Sequence, residues 1–430
     1  MRRFRFPFCR CAAWIVAAAL GAAALLSAQE PTPAASTASG VVQDIGWSEQ
    51  TAYNSNAGGN NQRPLPTLEQ DILGFISIGQ SDEINGWSLK YRPLAQFYLQ
   101  APNLDGLSHS LRGAFHWMPS PRWKLSADGW GLYLRGFPAL ATGGVAAGSY
   151  RPQSSVFITN VREVDARGRM ALDYLFSPRT IMEVFGSYQV RRFPHASFSS
   201  TGVTDLNALQ SGVGLKLQVT PRTQWMLVGQ YDNIGFGTTA HIAAESALLT
   251  WTHRFTHQAS LRIYGGPEYS TLHETLPFML AGLNFILRIH RNRTYPTVGA
   301  QFWEHRGIWT WQIGGQHQIS NGGGIFPVPV VSDTLSYRLD HPLVNGWHSR
   351  LGVDYARMHT LDSGFLSAHV QALSFGLDLR HKISDHLALD LNGNYLLQRA
   401  GGFLHVPPAV NRTFAGLRLS YDWRGWPNSQ

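Results

Sequence analysis

The feature that most constrains this chain is an alternation of apolar and polar residues that runs from about Trp87 to Trp423. Successive residues of a strand point to opposite faces, so a period of two over roughly ten to fourteen residues indicates strands with one apolar and one polar face. In the last such stretch, Leu417 and Leu419 fall on one face and Arg418 falls on the other. Spacing typical of amphipathic helices is almost absent. The alternation therefore predicts an all-β protein.

The connections between these stretches are of two kinds. Long ones are rich in Gly and Pro, as in GFPALATGGVAAGSYRPQSS and AGGFLHVPPAVNR, whereas short ones are tight polar turns. Short turns are predicted near 118–122, 176–180, 219–223, 255–258, 304–307, 340–346 and 383–386. Seven turns and two terminal strands imply about 16 strands. The segment 270–293 is either a long loop with a short apolar helix or an additional strand pair, and a further pair would make 18.

The composition indicates where the apolar faces lie. Charged residues are 14% of the chain and aromatic residues 12%, whereas about 25% charged is typical of soluble domains. No stretch after the N-terminal leader reaches the ~18 apolar residues that a spanning helix needs. Tryptophans near the short turns or the chain end predict an aromatic girdle at one membrane interface, formed by Trp117, Trp123, Trp225, Trp251, Trp303, Trp309, Trp347 and Trp423. The alternative is that they are core residues of a soluble β protein.

These patterns together predict a transmembrane antiparallel up-and-down β-barrel of about 16 strands, with 18 possible. Its short turns would face the periplasm and its long loops the cell exterior, because outer-membrane barrels have this asymmetry. The barrel is predicted to occupy residues 87–424, followed by a C-terminal tail at 425–430.

The N-terminus has the basic, apolar and small-residue order of a cleaved signal peptide, predicted at 1–28. Both cysteines, Cys9 and Cys11, lie in this leader, so disulfides and cysteine-ligated metals are not expected in the mature chain. Residues 29–86 do not alternate cleanly and contain the polar patch NSNAGGNNQRP. They are predicted to be a periplasmic N-terminal extension or a partial plug, although DILGFISIGQ at 71–80 could be a strand.

Three of the short turns share a motif, SPR or TPR, that contains Arg122, Arg179 and Arg222. Proline fixes φ at such a turn, and the arginine can reach lipid phosphates or form an ion pair at the rim. Together with the hairpin rhythm of most of the chain, these segments resemble the periplasmic turns of porin-like outer-membrane β-barrels of Gram-negative bacteria. The resemblance implies a barrel fold and a role in transport or export, and it implies no substrate.

The polar faces of the strands predict a lumen lined by charges of both signs. The candidates are Arg112, Lys124, Asp128, Arg162, Arg167, Arg169, Asp173, Glu183, Arg191, Lys216, Arg350, Asp354, Arg380, Asp390 and Arg418. Arg162, Arg167, Arg169, Arg191 and Arg192 come from two neighbouring predicted strands and could form a basic ladder facing anionic solutes. The alternative is a hydrated or ion-paired wall without selectivity.

Motifs for other chemistry are weak. His253 with His257, and His381 with His386, lack a third ligand at metal-site spacing, so no metal and no cofactor are expected. No GxSxG elbow or other compact constellation marks an enzyme. The formal net charge of +8 includes four arginines of the leader and is dispersed, so no nucleic-acid partner is expected.

The leading functional hypothesis is an outer-membrane porin-like channel for small hydrophilic solutes or ions. A second is a barrel that serves export or assembly of a surface polysaccharide, with residues 29–86 contacting periplasmic machinery. A third is a soluble exported β-propeller or sandwich that binds ligands. The expected partners are outer-membrane lipid, the barrel-assembly machinery and small hydrophilic solutes, and the sequence leaves the oligomeric state open.

Overall fold

The computed structural model of the chain describes residues 42–57, 64–81, 84–134, 162–194, 204–237, 240–280, 283–320, 326, 328–361, 367–402 and 409–424. The predicted signal peptide and the predicted C-terminal tail at 425–430 lie outside the described residues. Within these ranges the chain is built almost entirely of β-strands.

The described residues form 18 strands in one sheet. They are β1 (Val42–Asn54), β2 (Thr67–Ser81), β3 (Asn85–Tyr98), β4 (Gly106–Ser120), β5 (Trp123–Leu134), β6 (Glu163–Ser177), β7 (Thr180–Arg192), β8 (Leu206–Thr220), β9 (Thr223–Phe236), β10 (Ala240–Arg254), β11 (Ala259–Leu280), β12 (Leu283–Arg306), β13 (Trp309–Ser320), β14 (Val330–Pro342), β15 (Trp347–Thr360), β16 (Ala368–Lys382), β17 (Leu387–Gly402) and β18 (Ala409–Arg424).

Each strand pairs antiparallel with the next strand of the chain, and β1 pairs with both β2 and β18. The sheet is therefore closed and has no free edge. This confirms the predicted all-β antiparallel up-and-down barrel, with the larger of the two strand numbers. A propeller or a sandwich is excluded, because the strands form one continuous closed sheet.

Strand register determines which face each side chain occupies, because directly opposed residues of antiparallel strands point to the same side of a sheet. Leu417 is opposite Leu391, and Leu391 is opposite Leu379. Arg418 is opposite Asp390, on the other face. Followed from strand to strand, this register keeps one face apolar around the barrel.

The apolar face points outward, because its large side chains are exposed although they belong to a folded sheet. Leu227 is 54% exposed, Leu417 49% and Leu391 40%. A continuous band of exposed Leu, Ile, Val and aromatic side chains is typical of a barrel surrounded by lipid. The polar face points inward to the lumen.

All seven predicted short turns join strands at one end of the barrel, here called the turn rim, and the opposite end is called the loop rim. The SPR and TPR motif has a direct structural role there. The backbone N–H groups of Arg122, Arg179 and Arg222 donate to the hydroxyls of Ser120, Ser177 and Thr220, respectively, at 3.2–3.4 Å. The hydroxyl two residues before the arginine thus closes the turn that the proline begins.

Other turns at this rim use different chemistry. In the connection between β14 and β15, Asn345 and Gly346 have φ of 58° and 76°, in the left-handed region that Asn and Gly adopt most readily. At the turn between β16 and β17, the Lys382 ammonium donates to the Asp385 carboxylate at 2.7 Å and holds the pKa of that carboxyl below its ordinary value. Each of these turns is built from residues within the turn itself.

The N-terminal part of the chain differs from its prediction. Residues 42–81 supply β1 and β2 to the barrel wall, so this part is neither an extension nor a plug. Alternation is obscured there because Glu49 lies on the outward face, where the Gln70 amide donates to its carboxylate at 2.8 Å. Leu73 and Phe75 are apolar on the inward face of β2, which hides the period further.

The segment 270–293 also differs from both predicted alternatives. It forms neither a loop with a helix nor an extra strand pair, because it continues β11 and β12 as one long hairpin. β11 has 22 residues and β12 has 24, so both extend beyond their neighbours at the loop rim. The two strands beyond 16 come from β1 and β2 instead.

No helix in the described part of the chain has both the length and the hydropathy that a membrane-spanning helix needs.

Candidate functional site

The inward face of the barrel brings together most of the predicted lumen residues, because they alternate with the outward apolar band in register. This face carries Arg112, Lys124, Asp128, Arg167, Arg169, Asp173, Glu183, Arg191, Lys216, Arg350, Asp354, Arg380, Asp390 and Arg418. Arg162 differs from them because it precedes the first residue of β6.

The arginines of the predicted basic ladder do not all lie on the same face of the barrel wall. Arg167, Arg169 and Arg191 lie on the inward face of β6 and β7. Arg192 is opposite Val164 on the outward face, where its guanidinium donates to the Asn207 side-chain oxygen at 2.8 Å. The period of two separates Arg191 from Arg192, so adjacent arginines in the sequence cannot both face the lumen.

Glu183 organises the first ion-pair network, on the inward face of β6–β8. Its carboxylate receives the Arg169 guanidinium at 2.8 Å and the Lys216 ammonium at 2.5 Å. Asp173 lies directly opposite Glu183 on β6, and Lys124 lies opposite Asp173 on β5. Basic and acidic side chains therefore alternate across these strands and compensate one another.

A second network lies nearer the loop rim, around the buried Asp165. The Arg191 guanidinium contacts Asp165 at 2.6 Å and Glu163 at 3.0 Å. The Gln189 amide donates to the Asp165 carboxylate at 3.1 Å. Arg191 is thus held against the wall by two carboxylates, which neutralise its charge.

The third network crosses β14–β18. Arg338 pairs with Asp354 at 2.7 Å, Arg350 with Asp340 at 2.7 Å and Arg380 with Asp390 at 3.7 Å. The Arg418 guanidinium donates to the Gln50 side-chain oxygen across the β18–β1 closure. Charged pairs of this kind keep a polar wall hydrated without a large net field.

One part of the inward face places basic side chains of neighbouring strands in one row. Directly opposed residues on β3–β6 form the row Lys90, Arg112, Trp130 and Arg167. The Lys90 ammonium also lies 5.0 Å from the centre of the Phe75 ring. Sequence analysis missed Lys90 and Trp130, because β3 was only partly recognised and Trp130 interrupts the polar positions of β5. This set of four residues is called the basic row.

A buried polar cluster near the loop rim was also missed. Glu69 accepts from the Asn54 amide at 3.0 Å, the Gln96 amide at 3.1 Å and the Tyr98 hydroxyl at 3.2 Å. The Arg412 guanidinium lies 3.8 Å from the same carboxylate. Four strands, β1, β2, β3 and β18, are joined by these contacts. Arg412 is far from the others in the sequence, and the pairing of β18 with β1 brings it to them.

The inward face becomes apolar towards the loop rim of β8–β15. One buried cluster there consists of Leu206, Ile234, Phe236, Ala240, Ile242, Leu272, Ile319, Val328, Val331 and Leu361. Val328 belongs to the connection between β13 and β14, and it packs against the strand ends. A smaller apolar cluster includes Tyr98, Leu104, Leu396 and Val410. The inner wall therefore changes from polar to apolar along its length.

The tryptophans of the predicted girdle lie near the turn rim, but they do not all share a face. Trp225 is opposite Trp251 on the outward face, with ring centres 6.5 Å apart. The Trp309 and His341 rings are tilted against each other on the same face, with centres 3.7 Å apart. Trp303 is opposite Gln312, which places it on the inward face. Seven positions of the set face outward, as a girdle requires, and Trp303 does not.

Within the described ranges, no three or more His, Cys, Asp or Glu side chains are gathered closely enough to enclose a metal ion. The described inner wall provides hydrogen-bonding and ion-pairing groups.

Comparison with known proteins finds a similar architecture and no close relative. No protein-family model matches the chain, and no curated protein does. Among solved structures, the outer membrane protein OpdK of Pseudomonas aeruginosa has a TM-score of 0.43 and 10% identity, covering 91% of this chain and 100% of that one.

Two further solved structures give similar values. OccAB2 of Acinetobacter baumannii has a TM-score of 0.45 and 11% identity, covering 91% of this chain and 100% of that one. OccK2 (OpdF) of Pseudomonas aeruginosa, solved in complex with glucuronate, has a TM-score of 0.44 and 11% identity, covering 90% and 98%.

Proposed function

We propose that this protein is an outer-membrane, porin-like channel that passes small hydrophilic solutes or ions. The observation that supports this is the division of a closed wall into an outward apolar face and an inward charged face. Lipid solvates the first face, and only water or polar solutes can solvate the second. No catalytic role is assigned to the wall.

We further propose that the channel prefers anions weakly. Most inward charges are paired, as at Glu183 and Asp165, and contribute little net field. In the basic row, Lys90 lies directly opposite Arg112 on the inward wall, so two cationic side chains are neighbours there. Cations placed side by side on the wall of a pore raise the local concentration of anions, and bulk salt screens this effect.

Planar-bilayer recording of the purified, refolded protein tests both statements. We expect channel conductance, with a reversal potential in a salt gradient that indicates anion preference. Replacing Lys90, Arg112 and Arg167 together by glutamine should lower the anion-to-cation permeability ratio by about two-fold. Arg122→Gln, at the turn rim, is the control and should leave the ratio unchanged.

The two parts of the proposal fail in different ways. Absence of conductance from folded protein would remove the channel assignment. Conductance with cation preference, or an unchanged ratio in the triple variant, would remove the role of the basic row and leave the channel assignment intact.

The export hypothesis loses its main support in this fold. It assigns residues 29–86 to contacts with periplasmic machinery, yet residues 42–81 supply two strands of the wall. Among the other expected partners, the barrel-assembly machinery is consistent with a chain whose first and last strands must meet.

A further inference from the structure

Two arginines point outward, and not into the lumen, on the wall formed by β15, β16 and β17. Arg357 lies directly opposite Gln371, and Gln371 lies directly opposite Arg399, so the three residues form one row on the same face. All three are exposed. Neighbouring strands are ~4.8 Å apart, so the two arginine backbones are separated by about 10 Å. This set of three residues is called the outer arginine row.

The outer arginine row lies where the outward apolar band ends towards the loop rim. On β16 the outward positions run from His381, near the turn rim, through Leu377 and Leu373 to Gln371. The ten residues from His381 to Gln371, rising ~3.3 Å each in a strand tilted by ~40°, span ~25 Å. This is the height of the apolar band of a membrane barrel. The row is therefore at the level of the lipid headgroups on the loop-rim side.

The nearest acidic side chain of this level is engaged elsewhere. Asp333 on β14 is directly opposite Arg357, but its carboxylate is 2.6 Å from Nδ1 of His317. In the part of the chain that the structure describes, neither Arg357 nor Arg399 forms an ion pair. Both guanidinium groups are thus available to an anion that approaches from the lipid.

His369 borders the row on the side of the loop rim. It lies directly opposite Gly401, two residues beyond Arg399 on the same face. A Cβ added at Gly401 would lie only 2.6 Å from Cε1 of His369, so the imidazole leans over the β17 backbone. A ring in this position can donate a hydrogen bond to an anion held by Arg399.

The outward side chains on the turn-rim side of the row are apolar. Leu373 is directly opposite Tyr355 and Leu397, and Leu373 and the next outward residue of β16, Phe375, are 39% and 44% exposed. A free inorganic anion would gain nothing from these side chains. A lipid can contact both surfaces, because its phosphate lies at the headgroup level and its acyl chains lie along the apolar band. The surroundings therefore favour an anionic lipid as the partner.

Another sector of the barrel lacks such a row at its loop-rim end. On β8, β9 and β10 the directly opposed outward residues there are Asn207, Gly235 and His241. The nearby Arg192 of β7 donates to the Asn207 side-chain oxygen at 2.8 Å. A pair of available arginines is therefore not a general requirement of this level of the wall.

We propose that the outer arginine row, together with His369, binds one phosphorylated lipid of the leaflet on the loop-rim side. The lipid phosphate lies over Gln371 between the two guanidinium groups, and the acyl chains lie along Leu373 and Phe375. The planar guanidinium group matches two phosphate oxygens, and basic side chains at a membrane surface attract anionic headgroups. The proposal concerns the outer surface of the wall, so it does not depend on whether the barrel conducts.

Native mass spectrometry of the folded protein in detergent tests the site. Diphosphoryl lipid A and its fully dephosphorylated form are the probes, because they differ only in phosphate. We expect the wild type to retain one equivalent of the phosphorylated form in preference to the other. Replacing Arg357 and Arg399 together by glutamine should lower the affinity for the phosphorylated form by about 25-fold and leave that for the dephosphorylated form unchanged.

Arg122 and Arg179 provide the matched control, because both are exposed at the turn rim and replacing both by glutamine removes the same charge. This variant should retain the phosphorylated lipid as the wild type does. The proposal is overturned if the wild type retains both lipids equally, if the Arg357 and Arg399 variant binds normally, or if the control variant loses as much affinity.

Inorganic phosphate added in excess distinguishes a lipid site from a site for free anions. It should not displace the phosphorylated lipid, because it makes no contact with the apolar band. Displacement would assign the row to a free anion and overturn the lipid assignment. Slower migration of boiled than of unheated protein in gels verifies that each variant is folded.

Discussion

Leu391 and Asn392 are neighbours in β17, yet they are solvated by different media. Leu391 is opposite Leu417 and Leu379 in the outward apolar band. Asn392 is opposite Asp378 on the inward face. The comparison shows that the effect of a substitution on the free energy of unfolding depends on the face that the residue occupies, and not on its position along the chain. A new charge in the middle of the outward face is poorly solvated, whereas the inward face already carries many charges.

The largest expected effect comes from placing the same charge on each face. Leu391→Arg should lower the free energy of unfolding by about 2–4 kcal/mol, because an arginine near the bilayer midplane is poorly solvated. Asn392→Arg should cost much less, since the new guanidinium lies beside Asp378 and Asp390. Urea unfolding in lipid vesicles measures both variants. Equal costs would contradict the assignment of the two faces.

A smaller effect is expected within the inward face, at the network around Glu183. Glu183→Gln removes the shared acceptor of Arg169 and Lys216 and should lower the free energy of unfolding by about 1–3 kcal/mol. The same change adds one net positive charge to the lumen, so the reversal potential should move towards stronger anion preference. Asp385→Asn, in an exposed turn, should change neither quantity. An unchanged reversal potential in the Glu183 variant would indicate that this network does not face the conducting path.

The smallest effect concerns two tryptophans near the same turn. Trp309 faces outward and Trp303 inward, so brominated acyl chains should quench Trp309 and spare Trp303. Trp309→Phe should lower the fraction of fluorescence that such lipids quench, and Trp303→Phe should raise it slightly. The opposite pattern would reverse the face assignment of β12 and β13.

The sequence predicts the hairpins well because their chemistry is local. Ser177 closes the turn to Arg179 two residues away, and Asn345–Gly346 carries its own turn conformation. The face assignments of β18 follow equally from a strict alternation over Leu417 and Leu419. These features need no knowledge of the rest of the chain.

The remaining features depend on strands that meet only in the folded barrel. β1 was missed because the outward Glu49 breaks the apolar period, and its partner Gln70 lies on another strand. Prediction of the candidate site from the sequence is limited in the same way. Alternation indicates that Arg169 faces inward, but its pairing with Glu183 depends on the register of β6 against β7.

The pairing of β1 with β18 has a consequence for how this protein can be made. Every other pairing joins strands that are consecutive in the sequence, whereas this seam joins the first and last strands of the described part of the chain. Until the last residues have arrived, both terminal strands have unsatisfied backbone groups, and hydrocarbon cannot supply partners for them. A polypeptide that lacks β18 would leave β1 and β17 with unpaired edges. Because hydrocarbon cannot satisfy these backbone groups, we expect such a chain not to insert as a stable barrel.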